Sequence, residues 1–121
     1  MRLLLAEDEQ ELANWLCRAL EQNGYIVDWV ADGRLVESSI RQVRYDALIL
    51  DLGLPGMDGH QVLARLRELD LRLPVLILTA RDALMERVTT LKRGADDFVA
   101  KHFSIDELEA ANQRVVKRDR N

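Results

Sequence analysis

Five short apolar runs constrain this chain more than any other feature: "RLLLA" (2–6), "YIVDWV" (25–30), "ALILD" (47–51), "VLILT" (75–79) and "DFVAK" (97–101). The first, third and fourth are continuous rather than alternating, the pattern of parallel strands covered on both faces. Segments with helical periodicity lie between them. Leu12, Leu16, Ala19 and Leu20 form one stripe, and Val62, Leu63, Leu66 and Leu69 a second. Leu84, Val88 and Leu91 form a third, Ile105, Leu108, Ala111 and Val115 a fourth, and residues 33–43 read as a weaker helix. Strict alternation of strand and helix predicts an α/β fold, a doubly wound five-stranded parallel sheet with helices on both faces. The flavodoxin-like (CheY-like) strand order 2-1-3-4-5 fits five such strands best.

The punctuation agrees. Gly24 and Gly94 are placed to end helices ahead of the second and fifth strands. Ser104 with Glu107 reads as a capping box, and Asp58 as the cap of the helix after the third strand. Pro74 stands before the fourth strand, where no ladder hydrogen bond is lost. The 121 residues suit one domain, expected to span 1–117, with the basic end 118–121 as the start of a linker. A net charge of −4 argues against nucleic-acid binding by bulk electrostatics. One cysteine, Cys17, allows no internal disulfide and reads as a half-buried helix residue. The opening "MRLLLAEDE" is too short in apolar residues and too acidic for a signal peptide, and no run is long enough to span a membrane. A soluble cytoplasmic domain is expected.

In a sheet of this order, ligands bind beyond the carboxyl ends of the strands, near the switch between strands 1 and 3. Polar residues stand there: Glu7 and Asp8 after strand 1, Asp51 ending strand 3, Thr79 ending strand 4 and Lys101 ending strand 5. Three carboxylates at one edge repel, and a hard divalent cation relieves the repulsion. Mg²⁺ takes oxygen ligands and keeps several waters. The predicted ligands are Asp8, Asp51 and the Gly53 backbone carbonyl, with Glu7 acting through water. A metal beside a carboxylate, a hydroxyl and an amine makes a phosphoryl-transfer site. Asp51 is then the nucleophile, with Thr79 and Lys101 stabilising the transferred group. Strand ends meet solvent and are commonly polar, so each residue alone is unremarkable; the set of acid, acid, hydroxyl and amine on four separate strands carries the reading.

The motifs "LLLAEDE", "LILDLGLPGMDG", "LPVLILTARD" and "RGADDFVAK" together resemble the receiver domain of bacterial two-component response regulators, of the OmpR/PhoB type. The resemblance covers essentially the whole chain, and "ELANWLCRAL" is most similar to tricarboxylate-transport or polymyxin-type regulators. It implies that Asp51 accepts a phosphoryl group from a sensor histidine kinase, that Thr79 and Phe98 form the switch, and that Lys101 is the family's lysine. It also implies homodimerisation on phosphorylation through the fourth helix, fifth strand and last helix, with Arg87, Asp97 and Glu107 on that face. A DNA-binding domain usually follows such a receiver, so 118–121 would begin the linker to one, absent from this chain.

Two departures from the family pattern stand out. The family has Lys-Pro, usually cis, where this chain has Lys101-His102. A cis bond before a non-proline residue costs about 2.5–4 kcal/mol, against about 0.5–1 before proline. A strained cis bond or a rearranged trans loop is expected, and His102 could make phosphorylation pH-sensitive. In the last helix, Ala111 stands where the family often has an arginine that pairs across the dimer with the acid at Asp97, and Asn112 replaces an apolar residue. A weakened or altered dimer is expected. Competing functions are a degenerate receiver that only docks partners, a Mg²⁺-dependent phosphatase with an aspartyl nucleophile, and a nucleotide or flavin binder. The phosphatase would want an acid at position 53, which is Gly53; the binder would want a phosphate cradle where "AEDEQE" is anionic.

Overall fold

The three continuous apolar runs become the three central strands of one parallel sheet: β1 (Arg2–Ala6), β3 (Ala47–Asp51) and β4 (Val75–Thr79). The edges are β2 (Ile26–Val30) and β5 (Asp97–Ala100), and the strand order is β2-β1-β3-β4-β5, as expected. This computed structural model describes residues 1–69, 72–79, 91–92, 94–95, 97–100 and 105–120; for 79, 97–100, 105, 109 and 115–120 the description is of the backbone. Arg87, Lys101, His102 and Ser104 lie outside the described residues, and with them the Lys101-His102 peptide and the capping box at Ser104.

Period-two alternation divides the central strands between two cores. Leu3 and Leu5 of β1, Ile49 of β3 and Leu76 and Leu78 of β4 face one side. There they meet Leu16 and Leu20 of α1 (Gln10–Gln22) and Leu108 of the C-terminal helix (Ile105–Arg120). Leu4, Ala6, Leu48, Leu50, Val75 and Ile77 face the other. They pack on Val36 of α2 (Arg34–Gln42) and on Val62, Leu63 and Leu66 of α3 (Gly59–Glu68). Each fully buried Leu or Ile contributes about 1.5–3 kcal/mol of transfer free energy, which is why continuous apolar runs end up central. β2, an edge strand, leaves Ile26 and Trp29 exposed.

Helix ends follow the sequence signals where they are described. α1 ends at Gln22 with Asn23 as its C-cap, and the chain turns away at Gly24, whose φ of +91° lies in the left-handed region that favours glycine. α3 opens with a full capping box: Asp58 Oδ1 accepts the Gln61 N–H at 3.0 Å, and Gln61 Oε1 accepts the Asp58 N–H at 3.2 Å.

Ala111 is fully buried in the core beside Leu108, on the apolar stripe where the helical periodicity placed it. Asn112 is fully buried too, and among the described residues neither polar atom of its amide has a hydrogen-bond partner.

Candidate functional site

Parallel strands deliver their carboxyl ends to a single edge of the sheet, and the register decides what meets there. Ala6 pairs with Leu50, so Glu7 emerges level with Asp51. Asp51 pairs with Leu78, and Thr79 with Ala100, the residue before Lys101. The structure brings Glu7, Asp8 and Asp51 together: one carboxylate oxygen from each lies within 4.8 Å of the others. Glu7 is fully buried, Asp51 nearly so at 4% exposure, and Asp8 is exposed at the mouth. Gly53 stands beside Asp51, its N–H donating to Asp51 Oδ1 at 3.3 Å. A Cβ at Gly53 would sit 3.9 Å from Asp51 Oδ2, an ordinary contact, so the space at this turn is open whichever residue occupies it. Of the other predicted residues, the backbones of Thr79, Asp97 and Phe98 lie in β4 and β5, and Glu107 is exposed on the C-terminal helix.

The acidic loop is held from several directions. The Glu7 N–H donates to the Val30 carbonyl at 3.1 Å, extending the β1–β2 ladder by one residue. Glu7 Oε2 accepts the Glu9 N–H at 3.0 Å. The Trp29 indole Nε1–H donates to the Glu7 carbonyl at 2.6 Å. On the β3 side, the first residue of α3 approaches the Asp51–Leu52 backbone so closely that only glycine fits. The Gly59 N–H donates to the Leu52 carbonyl at 3.0 Å, and a Cβ there would lie 2.6 Å from the Asp51 oxygen. Neither Trp29 nor Gly59 was singled out as a site residue by sequence. Trp29 had one available signal, a bulky N–H donor at the carboxyl end of an edge strand, where it pairs with Leu5.

Two unit charges about 4–5 Å apart repel by about 3–4 kcal/mol at an effective dielectric of about 20. Three clustered carboxylates are therefore a poor resting arrangement without a cation. The donor set is all oxygen, part buried and part open, which fits a hard divalent ion that retains water. It fits neither zinc, which prefers nitrogen and sulfur, nor a soft metal.

Elsewhere, Asp28 of β2 accepts the Tyr45 hydroxyl at 2.7 Å and the Arg2 Nε–H at 3.0 Å. The Tyr45 bond, and then Arg2, hold the Asp28 carboxyl below the usual range, while burial and the same bond push Tyr45 up to about 12. The cluster ties the edge strand to β1 and to the approach of β3. Burial and Glu21 raise the Cys17 thiol, leaving it the inert helix residue expected.

The model of the response regulator receiver domain matches residues 3–113. The transcriptional regulatory protein TctD of Salmonella typhimurium is 48% identical over 118 residues, 98% of this chain and 53% of TctD. The chain thus spans about half the length of the curated relatives it matches. The solved receiver domain of a Francisella response regulator is 33% identical, covers 97% of both chains and has a TM-score of 0.92. The receiver domain of a sensor histidine kinase from Pseudomonas aeruginosa PAO1 is 34% identical, with a TM-score of 0.86. It covers 96% of this chain and 97% of its own, and was solved with a magnesium ion coordinated in its active site cleft. Among the described residues, no helix is long and apolar enough to cross a membrane.

Proposed function

The chain belongs to the response regulator receiver domain family, a family of signalling phosphoacceptors rather than true enzymes, and on that premise we propose that Asp51 is its phosphoacceptor. The observation that carries the proposal is the meeting of Glu7, Asp8 and Asp51 at the carboxyl edge of the sheet. A carboxylate oxygen of Asp51 attacks the phosphorus of a phosphohistidine on a sensor kinase. The new O–P bond forms as the P–N bond breaks, and the imidazole leaves with the electron pair and takes up a proton.

Asp8, Asp51 and the Gly53 carbonyl would hold Mg²⁺, with Glu7 acting through water; the donor chemistry supports this ion. When bound, it supplies positive charge next to the transferred group. The chain's own residues orient the carboxylates: the Gly53 N–H fixes Asp51, and the Glu9 N–H fixes Glu7. Lys101 neutralises a further phosphoryl oxygen, and Thr79 donates its hydroxyl to another. Phosphorylation adds about two negative charges. Thr79 then turns toward the phosphoryl group and Phe98 swings into the space it leaves. The surface of the fifth strand and last helix changes with them, a two-state element biased by local chemistry.

Residues 1–117 are the receiver, and 118–121, helical up to Arg120, lead toward an output domain. The partners are a sensor histidine kinase and a second copy of the chain, meeting through a face that includes Arg87, Asp97 and Glu107. In the full-length protein, a cytoplasmic regulator, DNA is bound through the output domain; the relatives' printed names as transcriptional regulatory proteins support this.

Incubation with acetyl phosphate and Mg²⁺, followed by intact mass, tests the proposal. A gain of one phosphoryl group that needs Mg²⁺ and disappears in Asp51→Asn is expected. A chain that never gains mass, or an Asp51→Asn variant that gains it equally, overturns the proposal.

A further inference from the structure

Of three hydrogen bonds that hold the Glu7 residue, two are available to almost any sequence. The Glu7 N–H to Val30 carbonyl bond continues strand pairing, and the Glu7 Oε2 to Glu9 N–H bond is local to the loop. The third depends on residue type: it needs a side chain that carries a hydrogen-bond donor and reaches from β2 to the Glu7 carbonyl. Trp29 is that side chain, and it lies outside the set of residues that would touch metal or phosphoryl group.

We propose that Trp29 is a positioning residue for the metal-binding acids, acting through the Glu7–Asp8 peptide; this rests on the phosphoacceptor reading above. The peptide is planar, so its carbonyl and the Asp8 N–H point in opposite directions. Anchoring the Glu7 carbonyl toward β2 turns the Asp8 N–H away from β2, toward the side where β3 brings Asp51. The same bond sets the direction in which the chain leaves β1, and hence where the exposed Asp8 carboxylate starts. Without it, the Glu7 carbonyl loses this anchor and the peptide is freer to rotate. Asp8 then has to be ordered when metal binds, which weakens binding without removing a ligand. The indole is also a link between the pocket and the outer edge of the sheet, because Trp29 is 37% exposed on β2.

The test needs no turnover. The chain has two tryptophans, Trp15 on α1 and Trp29, so a ¹⁵N–¹H spectrum carries two indole cross-peaks. Addition of Mg²⁺ to the wild-type chain is expected to move the Trp29 indole peak and leave that of Trp15 in place. Trp29→Phe keeps an aromatic at the site and removes the donor. It is expected to weaken Mg²⁺ binding roughly three- to tenfold, the equilibrium effect of one lost hydrogen bond. Phosphorylation of the variant is expected to recover at saturating Mg²⁺. A merely structural tryptophan would lower the Tm and leave Mg²⁺ affinity as it was. An unmoved Trp29 indole while other pocket amides shift, or a Trp29→Phe chain with wild-type Mg²⁺ affinity, overturns the inference alone. A wild-type chain in which no resonance responds to Mg²⁺ overturns both the inference and the metal site beneath it.

Discussion

Gly59→Ala puts the proposed acceptor under the most direct steric test. The added Cβ would stand 2.6 Å from the Asp51 carbonyl oxygen and 2.6 Å from Leu52 Cα, where ordinary contact begins at 3.4 Å. Backbone atoms cannot swing aside, so the start of α3 or the end of β3 must retreat by about 0.8 Å, the difference between those distances. Overpacking of this kind costs about 1–3 kcal/mol. The better helix propensity of alanine offsets less than about 1 kcal/mol at a first helical position. The net loss is therefore about 1–2 kcal/mol, which lowers the Tm of a domain this size by roughly 3–10 °C. The functional effect should exceed the stability effect, because the displaced atoms belong to Asp51 itself. A shift approaching 1 Å at a reacting group can cost up to about a hundredfold in rate. Urea unfolding followed by circular dichroism measures the first effect, and the acetyl phosphate reaction followed by intact mass measures the second. Gly53→Ala is the control: its Cβ meets Asp51 Oδ2 at 3.9 Å, and stability should hold within about 0.5 kcal/mol. A Gly59→Ala chain as stable and as fast as wild type would refute the reasoning.

Asp58→Ala removes the cap of α3 and should cost about 0.5–2 kcal/mol in urea unfolding. Asn112→Leu replaces a buried amide that has no hydrogen-bond partner among the described residues and should raise stability by about 1–3 kcal/mol, seen as a higher urea midpoint at unchanged m-value. Tyr45→Phe should change the pH dependence of stability at both ends. Asp28's carboxyl is held low in the folded chain, so its contribution is present above its ordinary pKa and is lost as pH falls through the depressed value. Tyr45 is raised to about 12, so its contribution is present below about 10 and is lost between there and about pH 12. Stability against pH should therefore be flatter in the variant at acid and alkaline extremes; identical profiles would remove the cluster from the account.

The sheet was legible because each central strand is apolar on both faces, so the runs at Leu3–Leu5, Leu48–Leu50 and Leu76–Leu78 could only be interior. The acidic pocket was legible for a related reason: once the strands are parallel, Glu7, Asp8 and Asp51 have to share an edge. Trp29 and Gly59 were not legible as site residues, because their importance lies in contacts between elements. The Trp29 donor crosses from β2 to the loop after β1, and the Gly59 constraint comes from how closely α3 approaches β3. Ala111 was legible from its place on an apolar helical stripe, and it packs with Leu108 as the stripe predicts.

The central claim is that Asp51 carries the phosphoryl group. An acyl phosphate is reduced by borohydride to the alcohol, so treatment of the phosphorylated chain marks the acceptor permanently, and peptide mapping then locates it. The account predicts a single reduced site at Asp51, dependent on Mg²⁺. A mark on Glu7 or Asp8, or phosphorylated protein with no mark at Asp51, would contradict it.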